Sequence, residues 1–213
     1  MAKKKAARPK PAPKPKAKAK PKTKAAKAKP KPTPKPATPK RASAAMNEQA
    51  MMDQWQAAMT PSDAHARLMP MVGTWRARTT FTMAPGVPEQ VSDATSVHRL
   101  VLGGRYLEQV YKGTSMGMPF EGMGFTGYDN VQKRYVGNWM DTFGTGIMRS
   151  ISTGRPTDEK IDFVCEAIEP SGEKRIFDAT VRIKGHDRHS YEMWTKGPTG
   201  KPYRVMLVEY ERG

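Results

Sequence analysis

Few of the residues that build metal centres or disulfide frameworks are present: the 213 residues include one cysteine, Cys165, and four histidines. A structural metal site normally needs three or four converging Cys, His or carboxylate ligands, and a single thiol closes no intrachain disulfide. No cofactor or metal signature is therefore expected, and the lone thiol suits a reducing compartment, hence a cytoplasmic protein. Long apolar runs are missing too. Val205-Met206-Leu207-Val208 is typical of the longest, far short of the roughly 18 residues that a membrane-spanning helix requires. The third absence is local. Residues 1–45 contain no acid but 17 of the 37 basic residues, whereas the rest of the chain balances 20 bases against 20 acids. The formal charge of +17 thus belongs to the N-terminal arm.

That arm is 15 Lys, 2 Arg, 10 Pro and 13 Ala with five other residues, and it has no aromatic or large aliphatic side chain. Such a segment cannot offset an ordering entropy of about 1–2 kcal/mol per residue, so a disordered, extended polycation is expected over 1–45. Its reach in polyproline geometry is up to ~140 Å. A secretory leader would carry an apolar stretch after the basic region, and none is seen before Met46. Lys14, Lys16, Lys18, Lys20, Lys22, Lys24, Lys27, Lys29, Lys31, Lys35, Lys40 and Arg41 are the candidate contacts to nucleic-acid phosphates. Neutralising phosphates releases condensed counterions, giving salt-sensitive binding with little base information. Without aromatics to stack on bases, duplex or structured RNA backbone is the expected partner, with association with the nucleoid as the corollary. The Lys-Pro steps, with Thr33-Pro34-Lys35 and Thr38-Pro39-Lys40-Arg41, resemble the tails of linker histones and lysine-rich nucleoid proteins. A solubilising tail, or one drawn to anionic lipid headgroups, is the alternative. Met46 could itself be a translation start.

From Met46 to Gly213 the pattern is that of one domain of 168 residues, enough to bury about 70 per cent of its unfolded surface. Met51, Met52, Trp55, Ala58 and Met59 fall at helical spacing, and Thr60-Pro61-Ser62-Asp63 reads as an N-cap with proline at the first helical position. Two short helices are expected before Gly73. Beyond it the period becomes two: Trp75, Ala77, Thr79, Phe81 and Met83 share a face, and arginines and threonines take the other. The same alternation recurs near 91–102, 105–115, 118–128, 134–142, 146–153, 160–168, 175–184, 189–196 and 203–212, with no helix between. Short links such as Gly103-Gly104 and Asp129-Asn130 favour antiparallel neighbours. Ten meandering strands leave two unpaired edges unless they close, so the expected fold is mostly β: an up-and-down barrel with the helices at one mouth.

Gly73-Thr74-Trp75 is similar to the Gly-x-Trp signature of lipocalins. Together with Leu102-Gly103-Gly104-Arg105-Tyr106, Gly124-Phe125-Thr126-Gly127-Tyr128-Asp129-Asn130, Tyr135, Trp139 and Asp141, it resembles the bacterial family catalogued as domain of unknown function 1579. The resemblance runs from about Met46 to Gly213. It implies a calycin-like barrel and carries no established reaction.

Three glycine motifs match catalytic or phosphate-binding patterns, but the context of each argues for turns. Gly113-Thr114-Ser115-Met116-Gly117 fits the nucleophile elbow, yet Pro119 and Phe120 follow where a helix is required. Gly122 to Gly127 fits G-x-G-x-x-G, and Tyr128-Asp129-Asn130 turns where the dinucleotide fold needs a helix N-terminus. Gly197 to Lys201 is a clipped phosphate loop with Pro202 in place of the magnesium-binding hydroxyl. His98 or His189 could be the single proximal ligand of a haem, as in the nitrobindin-like branch of calycins; an ordinary hydrogen-bonded strand histidine is the plainer reading. Cys165, in line with Ile161, Phe163 and Ala167, reads as a buried hydrophobe.

Polar side chains that interrupt apolar strands mark the candidate pocket, because a buried polar group needs a partner or serves a ligand. These are Trp75, Arg105, Tyr106, Glu108, Tyr111, Glu121, Tyr128, Trp139 and Asp141, an aromatic set with few hydrogen-bonding groups that suits a small apolar or amphipathic ligand. The first expectation is a noncatalytic binding barrel. The rivals are an enzyme using Glu108, Glu121, Asp141, Tyr106 or Tyr111 for proton transfer, and a packed scaffold in which Glu108 and Glu121 face outward and Trp75, Trp139 and Asp141 seal the interior.

Overall fold

The computed structural model describes residues 41–157 and 159–213, with side-chain surroundings from Asn47 onward. The arm lysines Lys14 to Lys40 and the side chain of Arg41, with the nucleic-acid contacts expected of them, lie outside the described residues.

Helix α1 spans Arg41–Met59, 19 residues, starting five positions upstream of the Met46 boundary read from composition. Alanine, methionine and glutamine, all good helix formers, dominate it. It ends where Thr60 turns its N–H and its hydroxyl to the Gln56 carbonyl, at 3.1 and 2.7 Å, and Pro61 disfavours a further helical residue before it. The next helix, α2, is one turn, Asp63–Ala66, and its cap is Ser62, one step beyond the proline. The Thr60 cap with Pro61 at the first helical position is therefore corrected: Thr60 closes α1, and Ser62 N donates to His65 Nδ1 at 2.9 Å to open α2. A 3-10 turn, Met69–Met71, leads into the sheet.

Ten strands follow in antiparallel order: β1 (Gly73–Phe81), β2 (Gln90–Val101), β3 (Tyr106–Ser115), β4 (Met118–Asp129), β5 (Arg134–Asp141), β6 (Met148–Thr153), β7 (Lys160–Ile168), β8 (Lys174–Ile183), β9 (Arg188–Lys196) and β10 (Pro202–Arg212). Each pairs with its sequence neighbours, and β1 pairs with β10 from Trp75↔Arg212 to Phe81↔Met206, so the sheet closes on itself. Closure leaves no strand edge to recruit another chain. The tightest link is the β3–β4 hairpin, where Met116 (φ 52°) and Gly117 (φ 74°) take the left-handed conformations of a two-residue turn. Between Arg204 and Met206 the β9–β10 register slips, and the extra residue Val205 is buried, so β10 bends there.

Alternation sends one set of side chains into the lumen and the other to the outside. The base, where α2 and the 3-10 turn lie, is filled by Leu68, Met71, Tyr135, Ile161, Phe163 and Cys165. Leu68, Trp75 and Tyr135 are 0 % exposed. The plug is fastened by hydrogen bonds as well as by packing: Trp75 Nε1 donates to the Met71 carbonyl at 2.9 Å and the Tyr135 hydroxyl to that of Ala64 at 2.6 Å. Arg212 lies 4.3 Å over the Trp75 ring and donates to the Val72 and Pro70 carbonyls.

Candidate ligand chamber in the barrel lumen

Above the plugged base the lumen contains a polar layer. Ser96 Oγ meets His98 Nε2 at 2.9 Å, and the Gln109 amide donates to Ser96 Oγ at 3.3 Å and to the Tyr210 hydroxyl at 3.0 Å. His189 stacks on Tyr210 with 4.2 Å between ring centres, meets Trp75 edge-on at 4.4 Å, and stands 5.2 Å from His98. Both imidazoles are 4 % exposed. Burial pushes His98 down to about 4 against the opposing Met71 carbonyl. Burial, with His98 and Arg212 nearby, pushes His189 down to about 3. Both rings are therefore neutral at pH 7, and neither nitrogen of His189 has a hydrogen-bond partner among the described residues. Tyr111 pairs with Thr79 at 2.8 Å, and burial raises its hydroxyl above the usual range.

No helix among the described residues covers the opposite end. Phe120, Trp139, Asp141, Met148, Phe177 and Tyr203 point inward by strand register, yet each keeps part of its surface accessible. The wall behind Trp139 has been thinned to bare backbone. A Cβ on Gly122 would lie 2.2 Å from Trp139 Cζ2, and one on Gly124 would lie 2.4 Å from the Asn138 carbonyl and 3.0 Å from the indole. The indole thus lies flat on β4 instead of projecting across the lumen. Asp141 holds it there, accepting from Trp139 Nε1 at 2.9 Å with one oxygen and from the Phe143 N–H at 2.9 Å with the other. Tyr111, Phe120 and Phe143 continue outward as an edge-to-face series with centres 5.8 and 5.0 Å apart. On the far rim Arg175 contacts Glu169, donates to the Tyr203 hydroxyl at 2.9 Å, and sits 5.5 Å over Phe177. A depression of about 530 Å³ lies at the β1–β4 end, lined by Phe81, Ser92 and Ser115 from the inner face, Val91 and Thr114 from the outer face, and the Met116-Gly117 turn.

Of the residues singled out in the sequence, Trp75, Tyr111, Tyr128, Trp139 and Asp141 face the lumen, at different heights. Trp75, Tyr128 and the fully buried Tyr135 belong to the base, with Tyr128 and Tyr135 5.1 Å apart edge-to-face. Tyr111, Trp139 and Asp141 belong to the opposite half. The other four lie elsewhere. Glu108 is on the outer wall, ion-paired with Arg99, and Glu121 is outside with Lys112 at 3.1 Å. Tyr106 faces outward over Gly127. Arg105, in the β2–β3 turn, donates to the Met59 carbonyl at the end of α1 at 2.6 Å. A proximal haem ligand needs an imidazole nitrogen lone pair aimed into a porphyrin-sized slot. The rings of Tyr210, Trp75 and His98 crowd His189 on several sides, so the pair does not fit that group. Burial raises the Cys165 thiol to about 11, in keeping with a buried hydrophobe. Ser115 closes β3 ahead of the hairpin and Gly122 to Gly127 lies within β4, so neither glycine motif has the helix its chemistry requires.

Sequence reasoning missed the partnership of His98 with His189, the Ser96–Gln109–Tyr210 network, and the use of Gly122 and Gly124. Only the last left a local signal, two alternate glycines on one face of a strand.

No curated protein matches the chain. Among solved structures, Rv2717c from M. tuberculosis is similar at 16 % identity and a TM-score of 0.55, over 72 % of this chain and 99 % of that one, a likeness of fold. An S-type phycobiliprotein lyase, CPES from Guillardia theta, aligns at 10 % identity and a TM-score of 0.47 over 75 % of this chain and 96 % of that one. A redesigned beta barrel aligns at 12 % and 0.38, over 69 % and 95 %. The profile of one sequence family, described as "Protein of unknown function (DUF1579)", matches residues 60–212, the last turn before α2 and the whole barrel. With its strands, plug and closure all inside that match, the chain belongs to the DUF1579 family.

Proposed function

We propose that the barrel is a binding protein for a small apolar or amphipathic molecule with a planar aromatic part, taken up through the end opposite α2. The observation that carries this reading is the Trp139 indole, inward on β5, lying on Gly122 and Gly124 and keeping part of its surface accessible. Aromatic walls with a few fixed polar groups are the usual make-up of small-molecule sites. A ligand atom that reaches the polar layer would meet the unpartnered nitrogens of His189, and a buried polar atom without a partner is costly unless something satisfies it. Asp141 has both oxygens engaged and the Tyr111 hydroxyl is paired, so no observation favours the proton-transfer rival. The arm adds salt-sensitive attachment to nucleic-acid backbone in this reading, on the strength of its composition alone.

The test is native mass spectrometry of the full chain purified from its own host, with titration by 8-anilinonaphthalene-1-sulfonate as a planar amphipathic probe. A discrete adduct of defined mass, or saturable one-to-one probe binding lost in Gly122→Val, is expected. An apo mass together with no saturable probe binding overturns the ligand reading. For the arm, duplex DNA should bind the full chain at low salt and not a chain lacking residues 1–40; equal binding by both would overturn it.

A further inference from the structure

The outside of the barrel is not uniform. Around β1 and β7 to β10 the outward side chains form ion pairs, among them Arg76–Glu211, Lys160–Asp162, Arg182–Glu192 and Arg188–Glu211. Across β2 to β6 an apolar band runs between two such pairs, Arg99–Glu108 on one side and Lys112–Glu121 on the other. Val97, Val110 and Met123 are cross-strand partners, Phe125 lies two residues beyond Met123 on the same face, and Val136 pairs with Ile151. All six are partly or fully exposed. Helix α1 has a second uncovered apolar surface. Met51, Met52, Trp55 and Met59 are 50–61 % exposed, and Met52, Trp55 and Met59 fall on one stripe at positions i, i+3 and i+7. Single exposed apolar residues are ordinary, but two contiguous patches on one chain ask for a cover.

The two surfaces are neighbours. The end of α1 is held at the foot of the apolar wall: Asn130, in the β4–β5 turn, donates to the carbonyls of Ala57, Ala58 and Thr60 at 3.1, 3.2 and 2.7 Å, and Arg105 holds that of Met59. They also match in charge. Glu48 lies on the α1 stripe, four residues before Met52, and no ion pair engages it among the described residues. Arg149, outward on β6 two residues before Ile151, stands opposite Glu166 of β7, which Lys174 engages at 2.8 Å, and makes no ion pair of its own among the described residues. A carboxylate in an apolar stripe and a guanidinium beside an apolar wall are each costly to cover alone and favourable to cover together.

We infer that this wall is the seat for α1 of a second copy, so that the chain forms a reciprocal dimer in which each helix lies across β2 to β6 of the other barrel. The arrangement is two-fold and self-complementary, as expected of a closed homodimer. A 19-residue helix is roughly 28 Å long and about 10 Å wide. Two such contacts, counted on both surfaces, cover roughly 1,100 Å², near the lower limit for a specific interface. Trp55 is the anchor, and Glu48 to Arg149 of the partner fixes the register.

Sedimentation equilibrium of the nuclease-treated full chain tests this. Twice the 23.7 kDa chain mass is expected at about 100 µM. Trp55→Glu and Met123→Glu, both at accessible positions, should each weaken association tenfold or more, as loss of a buried anchor does. Glu48→Arg and Arg149→Glu should each weaken it, and the double variant should recover most of the loss, which a merely structural role would not produce. A monomer at that concentration, or a dimer indifferent to Trp55→Glu, overturns the inference. So does a monomer that binds vesicles of phosphatidylglycerol through Trp55, which would make the helix an interfacial anchor.

Discussion

The base and the mouth of this barrel are built from the same alternating strands, yet they treat the interior in opposite ways. At the base every inward position is spent on volume: Leu68, Met71, Trp75, Tyr135 and Ile161 fill it, and α2 with the 3-10 turn seals it. At the mouth the inward positions of β3 to β5 include Gly113, Gly122 and Gly124, which let Ala94 and the Trp139 indole close on the bare backbone, and no helix among the described residues lies over the end. One end holds the fold together and the other is free to do something with it. The polar layer of His98, His189, Gln109 and Tyr210 lies between them.

Changes at the base should cost stability and leave binding at the mouth intact. Trp75→Ala removes a fully buried indole and should lower unfolding free energy by about 3–5 kcal/mol, measured by denaturant titration. If the loss is under about 1 kcal/mol, the contrast between the ends fails. Next is acid. An exposed imidazole titrates near 6.5, and His98 titrates at about 4 and His189 at about 3 in the folded chain. Between those values the unfolded chain binds more protons, so stability is full above pH 6.5 and falls as pH drops through the folded values. Each imidazole should contribute a loss of roughly 3 kcal/mol from pH 7 to pH 4, about 6 kcal/mol for the two, and His98→Gln should remove about half of that slope.

At the mouth, Gly122→Val should cost about 1–3 kcal/mol through crowding against Trp139 and should abolish probe binding, a larger functional than structural effect. The reverse ranking would place the glycines with the base. The smallest effect belongs to the outer wall. Arg78→Ala, which removes an exposed pair with Asp93, should change stability by less than about 0.5 kcal/mol and leave probe binding as it is.

The strands were legible in the sequence because a half-buried strand writes its burial into alternate positions, as Trp75-Arg76-Ala77-Arg78 does, and the ten elements appear within about two residues of where that pattern puts them. Closure followed from the need to dispose of edges. The start of α1 was not legible, because the Ala-Ser-Ala-Ala run after Arg41 continues the composition of the arm while adopting the conformation of the helix. At the candidate site, Tyr111, Trp139 and Asp141 could be picked out as polar or aromatic interruptions. Glu108 and Glu121 carried the same signal and lie outside, since one residue's parity decides its face. The approach of His98 to His189 was beyond local reading: β2 and β9 are separated by β1 and β10, and the two rings meet only because the barrel is closed.

The indole laid over two glycines also gives the molecule a built-in optical gauge. The four tryptophans fall into distinct surroundings: Trp75 is sealed in the base, Trp194 and, in the single chain, Trp55 are open to solvent, and Trp139 stands half-buried on the inner wall near the mouth. Their emission should separate into a blue component, a red component and an intermediate one. Anything that enters the barrel should quench or shift the intermediate component alone, so the chain reports its own occupancy without a label.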